Sequence, residues 1–184
     1  MADKQDIVEV LTKDHREVEE MFAQFEVTTD ADELRDIRDQ VTTELIRHSA
    51  AEEQYLYPAV REHVPGGDSL ADKEIEDHNK VEAALKSLGK MDTEDPNFVH
   101  TFRQMSNEVR AHIKEEEADL FPQLQEHTTP DQLRELGGKI QSAKKLAPTR
   151  PHPSTPDTPP LNKVLGAGAG LVDRIRDKLT HRGS

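Results

Sequence analysis

The sequence predicts an all-α protein: an up-down-up-down four-helix bundle built from two pseudo-repeated helical hairpins, followed by a short fifth helix and a disordered Pro-rich C-terminal tail. Three observations carry this expectation. Apolar residues recur at steps of three and four through most of the first 147 positions, which lines them up on one face of a helix with 3.6 residues per turn. The chain also repeats itself: KDHREVEEM at 13–21 is echoed by EDHNKVEAA at 76–84, and HSAAEEQYLYPAV at 48–60 by HIKEEEADLFPQL at 112–124. Finally, the composition changes abruptly at Pro148, where PTRPHPSTPDTPP has no hydrophobic period and reads as an extended linker.

The elements follow in order. Ile7, Val8, Leu11, His15, Val18, Phe22 and Phe25 form one stripe, so the first helix spans about residues 4–26. Asp30 is placed to cap a second helix with Leu34, Ile37, Val41, Leu45, His48, Glu52, Tyr55 and Leu56 inward, ending near His63 before Pro65-Gly66-Gly67. Asp68 is the expected cap of a third, with Ile75, His78, Val81, Leu85 and Leu88 inward, ending around Gly89. The fourth starts near Thr93 to Asp95 and carries Phe98, Phe102, Met105, Val109, His112, Glu116 and Leu120. Thr129-Pro130, a cap followed by proline at the first helical position, opens a fifth helix running through Leu146. Short connections between long amphipathic helices make neighbours antiparallel.

Two segments result, a bundle over 1–147 and a tail over 148–184. The chain carries 37 Asp+Glu against 24 Lys+Arg, a net charge of −13. The tail holds six Lys+Arg and three acids, and Val164, Leu165, Leu171, Val172, Ile175 and Leu179 share a weak apolar face. It is therefore a candidate for self-docking on the acidic bundle or for binding a protein partner. So acidic a body repels phosphate backbones, which argues against nucleic acid. No apolar run approaches a membrane span and MADKQDIVEV has no signal-peptide core, so a cytoplasmic, soluble protein is expected.

The absence of cysteine excludes thiolate zinc sites, iron–sulfur clusters and cysteine nucleophiles, and leaves nitrogen and oxygen as the metal ligands. Residues four apart share a helix face, so His48 with Glu52, and His112 with Glu116, are two-armed chelators. His15 and His78 lie inward on the partner helices, at offsets of 33 and 34 from His48 and His112. The bundle would thus gather four imidazoles and two carboxylates at one level. Two unpaired carboxylates in an apolar core would cost many kcal/mol, whereas two metal ions, each with two imidazoles and sharing both glutamates, resolve the charge. Nitrogen and carboxylate ligands with open positions suit iron best, with manganese and zinc as competitors, and leave room for a bridging oxygen.

The ordered set His15, His48-S-A-A-Glu52, His78 and His112-I-K-E-Glu116, with the flanking EExxLYP and EExxLFP pieces, resembles the hemerythrin-like, HHE cation-binding domain over about residues 5–127. The resemblance implies a non-heme di-iron site, oxo- or hydroxo-bridged, reacting with oxygen, peroxide or nitric oxide. Oxygen-carrying hemerythrins use a fifth histidine one turn from another on the third helix; here Glu74 and Glu82 stand four residues either side of His78. That difference points away from reversible oxygen transport and toward redox chemistry.

Tyr55 falls at i+7 from His48 and so is expected to share the ligand face, as a ligand or as a proton or electron donor, or else to be an interfacial core tyrosine; its repeat counterpart Asp119 would be a second oxygen donor. Tyr57 pairs with Phe121 in the repeat and reads as packing. Glu53 and Glu117 are expected on solvated faces or in hydrogen bonds behind the ligands, Glu115 likewise, and Glu19 and Glu82 as orienters of His15 and His78. His63 and His127 fit helix C-termini. Two functions follow: peroxide decomposition in the manner of a catalase, or a module that senses or binds oxygen, nitric oxide or iron without fast turnover.

Overall fold

The computed structural model describes residues 5–146, and among these every regular element is helical. Helix α1 spans Ile7–Val27. Its start is a reciprocal cap: Asp6 accepts from Glu9 N–H at 2.9 Å while Glu9 accepts from Asp6 N–H at 2.9 Å, satisfying two of the donors a helix start leaves open. Helix α2 begins with Ala31–Ala51, capped by Asp30 accepting from the N–H groups of Asp32 and Glu33. It then passes through a π-helical turn, Glu52–Leu56, into Tyr57–His63. Helix α3 is Gly67–Leu88. Helix α4 repeats the plan of α2, with Phe98–Glu115, a π turn at Glu116–Leu120, and Phe121–His127. Helix α5 is Pro130–Leu146, with Thr129 Oγ1 accepting from Gln132 N–H.

The π turns have a cause in the sequence. Pro58 and Pro122 follow six residues after Glu52 and Glu116, and proline can neither donate to the carbonyl four residues back nor fit its ring against it. Each helix absorbs the misfit by widening one turn, so that Tyr57 N–H reaches Glu52 O and Phe121 N–H reaches Glu116 O, five residues apart.

Two starts differ from the sequence expectation. Helix α3 is capped by Gly66 in the left-handed region (φ 72), which a glycine adopts without the Cβ penalty; Asp68 sits in the first turn and pairs with Arg61. Helix α4 starts later than Thr93 to Asp95, because Asp92 and Asp95 use their side chains to accept from Glu94 N–H and Asn97 N–H and hold that stretch in turns.

Successive helices pack side by side, and α5 lies against α1 and α2 at one end. Gly137 makes that approach possible, since a Cβ there would stand 2.3 Å from Gln5 O. The core divides into two apolar clusters. One, around Leu11, Leu56, Phe121, Leu133 and Ile140, is closed by α5; the other, around Phe22, Val41, Leu85, Phe102 and Met105, fills the far end. Between them runs a buried polar layer. The expectations about the tail, 148–184, lie outside the described residues. Among the described residues no helix is long and apolar enough to cross a membrane.

Candidate metal centre

The layer between the clusters contains the six residues that the sequence singles out. His15, His48, His78 and His112, from α1, α2, α3 and α4, are all buried, and Glu52 and Glu116 are fully so. The imidazoles meet in pairs through their inner nitrogens: Nε2 of His15 is 3.2 Å from Nε2 of His48, and Nε2 of His78 is 3.2 Å from Nε2 of His112. Each glutamate spans the pairs. Glu52 sets Oε1 3.0 Å from His48 Nε2 and Oε2 3.3 Å from His78 Nε2. Glu116 sets Oε2 3.4 Å from His15 Nε2 and Oε1 3.6 Å from His112 Nε2.

Every outer nitrogen faces a further carboxylate. Nδ1 of His15 is 2.8 Å from Glu117, Nδ1 of His48 is 3.4 Å from Asp14, Nδ1 of His78 is 3.4 Å from Glu53, and Nδ1 of His112 is 2.8 Å from Glu74. Cations stand behind three of these four: Arg16 on Glu117, Lys144 of α5 on Asp14, and Lys73 on Glu74. A carboxylate on the outer nitrogen fixes ring orientation and turns the inner nitrogen toward a shared point, as around metal-binding histidines generally.

Charge balance in the layer is unusual for a core. Burial alone would push the His48 imidazolium toward losing its proton, but the negative charge of Glu52 and the Asp14 carboxylate on its outer nitrogen raise its pKa to about 10. His78 is likewise held at about 10 against burial by Glu52 and Glu53. Burial would raise the Glu52 carboxyl, yet His48 and His78 hold it well below the usual range. Burial and the surrounding carboxylates push the Tyr57 phenol well above its ordinary value.

Close approach is not hydrogen bonding here. Both oxygens of Glu52 and Oε2 of Glu116 are buried without a hydrogen-bond partner, although imidazole nitrogens lie 3.0 to 3.4 Å away. Such orphaned acceptors cost free energy. Their neighbours are spaced as ligands around a common centre, and nitrogen and carboxylate donors without sulfur suit a non-heme transition metal. The residues present therefore fit a metal ion.

The structure brings one of the two tyrosines to the layer. Because the π turn adds a residue to the helical turn, Tyr57 and not Tyr55 comes round beneath Glu52. The Tyr57 hydroxyl is 3.0 Å from His78 Nε2 and donates to Glu116 Oε1 at 3.3 Å. Tyr55 is half-buried, packs with the apolar cluster at the α5 end, and lies within electrostatic reach of Lys139. Asp119 is exposed for the same reason. Glu53 and Glu117 stand behind His78 and His15, whereas Glu19 pairs with Arg110, Glu82 with Lys86, and Glu115 with Lys73 at the surface. His127 caps its helix end through Gln123 O at 2.8 Å, and His100 is exposed. Asp14 and Glu74 were not expected in the layer. Asp14 adjoins His15 in sequence but serves a histidine of the neighbouring helix, a contact that periodicity within one helix does not encode.

On the side of the imidazoles facing the far cluster lies a small cavity of about 20 Å³, lined by the four histidines with Val18, Leu45, Val81, Val109 and others. It has room for roughly one water-sized molecule.

A four-helix bundle with a histidine and glutamate layer defines a class of metal-binding helical proteins, and comparison places the chain within it. The model of the hemerythrin HHE cation binding domain matches residues 6–124, and the chain belongs to that family. It is 29% identical over 174 residues to an uncharacterized hemerythrin-like protein of Schizosaccharomyces pombe, covering 94% of this chain and 86% of that one. It is 26% identical over 145 residues to a DNA nickase of Nostoc, covering 78% of this chain but only 41% of that protein. The crystal structure of a hemerythrin HHE cation binding domain-containing protein from Mycobacterium kansasii shares the fold, with a TM-score of 0.69 at 23% identity, over 77% of this chain and 86% of that one.

Proposed function

We propose that the layer is a non-heme di-iron centre with His15, His48, His78 and His112 as terminal ligands and Glu52 and Glu116 as bridges, and that it decomposes hydrogen peroxide. The observation that carries this is the pair of fully buried glutamates, three of whose four oxygens lack hydrogen-bond partners while facing imidazoles of two different hairpins. Iron held there supplies a one-electron change per ion and open positions for a small oxidant. The protein's part is to exclude everything else. The cavity, about 20 Å³ and walled by Val18, Leu45, Val81 and Val109, suits peroxide, oxygen or nitric oxide and shuts out organic substrates. Glu117, Asp14, Glu53 and Glu74 hold the rings in place, and the Tyr57 hydroxyl is the one proton-bearing phenol that touches the layer.

A second reading, sensing of small oxidants or of iron without fast turnover, is favoured by one observation. The match to the S. pombe protein covers 94% of this chain, and so runs beyond the last described helix into the basic segment that the bundle chemistry does not need. Visible spectra of iron-loaded protein before and after hydrogen peroxide, with His48→Ala alongside, separate these readings. Oxo-bridged ferric bands in the parent alone, with sustained peroxide consumption, support the enzyme. Bands with persisting peroxide support the sensor, and no bands overturn the di-iron assignment.

A further inference from the structure

The sequence repeat makes the two halves of the layer equivalent, but the structure does not. On one side His15, His48, Glu52 and Glu116 each bring a ligand atom within 4.8 Å of all the others. On the other, Glu52 shares that spacing with His78 and His112, whereas Glu116 meets it only with His112 and Glu74. The distances agree, since Glu116 Oε1 to His112 Nε2, at 3.6 Å, is the longest of the four glutamate-to-imidazole approaches. That oxygen accepts instead from the Tyr57 hydroxyl, at 3.3 Å, which also stands 3.0 Å from His78 Nε2. Phe121, its repeat partner, has no hydroxyl and stacks on His15 with ring centroids 5.8 Å apart.

We infer that the two metal positions are inequivalent: the His15, His48, Glu52, Glu116 position is preformed and fills first, and the His78, His112 position takes the Tyr57 hydroxyl oxygen as an added ligand beside Glu52. The hydroxyl is spaced from His78 and Glu116 at 3.0 and 3.3 Å, as the ligand atoms of the first position are spaced from one another, at 3.0 to 3.4 Å. Tyr57 thereby compensates for the arm of Glu116 that reaches His112 least well. This inference rests on the metal-centre reading and deepens it. One ion is held at metal concentrations that leave the second position empty, so iron supply decides whether a two-ion centre exists to meet the oxidant.

Ferrous iron titrated anaerobically into the chelator-treated full chain, followed by calorimetry, tests this. The expected result is two events of about one ion each, separated tenfold or more in Kd. Tyr57→Phe is expected to weaken the second event by about 10- to 100-fold, the range for losing a group that supports a metal site, and to change the first much less. Phe121→Tyr is expected to alter the first event alone. Air-oxidised parent should show a tyrosinate-to-iron absorption that Tyr57→Phe lacks. Equal affinity for both ions, an equal Tyr57→Phe effect on both events or an effect on neither, or no tyrosinate absorption in the parent would each overturn the inequivalence. Failure of any iron to bind would instead sink the metal-centre reading, and intact two-step binding without peroxide turnover would sink only the peroxide reaction.

Discussion

Glu52 reaches across the bundle to His78, its Oε2 3.3 Å from the imidazole Nε2, while its Oε1 stays 3.0 Å from His48 on its own helix. One side chain thus ties the first hairpin to the second at full burial. Glu52→Gln keeps the volume and removes the charge that a cation needs. A ligand that binds the folded state alone stabilises it by about 2.7 kcal/mol at a hundredfold excess over Kd, on the order of 5–10 °C in a chain of this size. Ferrous iron is expected to raise the parent's melting temperature by that amount and to leave Glu52→Gln unmoved. A variant that still gained the full increment in thermal melts would show that iron binds elsewhere.

The outer carboxylates carry a second prediction. Lys144 of α5 holds Asp14, which faces Nδ1 of His48, so the fifth helix acts on the centre through one relay. Asp14→Asn is expected to weaken iron binding by about 10- to 100-fold with the fold intact, and Lys144→Met to weaken it in the same direction by less. Lys139→Met is the control, because the ion pair that Lys139 makes with Glu135 lies along its own helix at the surface. Equilibrium dialysis against graded free iron reads the difference; equal affinities for Lys144→Met and Lys139→Met would remove α5 from the account.

Much of the layer was legible in the sequence because each His–Glu pair is local. His48 with Glu52, and His112 with Glu116, need only the rule that residues four apart share a face, and the repeat supplied the partners His15 and His78. The tyrosines were harder to place, because a uniform turn of 3.6 residues carries Tyr55 onto the face of His48 and Glu52. Pro58 was the available signal, since a proline inside an otherwise continuous helix demands a local rearrangement. Reading that rearrangement as a π turn moves the hydroxyl from Tyr55 to Tyr57. Asp14 and Glu74 were hidden for a different reason. Each serves a histidine on an adjacent helix, so their roles depend on packing between elements and not on periodicity within one.

Metal-free protein should show a pH dependence that iron abolishes. Without a cation, His48 and His78 balance the glutamates by carrying protons, with pKa values raised from 6.5 to about 10. A raised imidazole pKa contributes stability that is fully present below 6.5 and is lost as pH rises through about 10. Glu52, held well below 4.5, contributes above 4.5 and loses that contribution as pH falls through its folded value. The metal-free melting temperature is therefore expected to fall between neutral pH and about 10. Iron-loaded protein should change much less there, because a bound metal requires neutral imidazoles and displaces their protons. Parallel alkaline declines for the two forms, in paired thermal melts, would sink the charge-balance argument.

The placement of α5 can be tested at two adjacent glycines with opposite expected signs. Alanine in a helix interior is favoured over glycine by about 0.8–1.0 kcal/mol, and Gly138 has open space where a Cβ would go, so Gly138→Ala is expected to raise the melting temperature by a few degrees. At Gly137 the same methyl would lie 2.3 Å from Gln5 O and 2.7 Å from the Asp6 carbonyl carbon. Both are backbone atoms at the start of α1 and cannot swing aside. Relief requires α5 to lift from α1, loosening Leu133 and Ile140 from the cluster they close and drawing Lys144 off Asp14. Overpacking of this kind costs about 1–3 kcal/mol, more than the helix propensity returns. Gly137→Ala is thus expected to melt several degrees below the parent and to bind iron more weakly than Gly138→Ala; a stabilised Gly137→Ala would mean that α5 does not sit this close to α1.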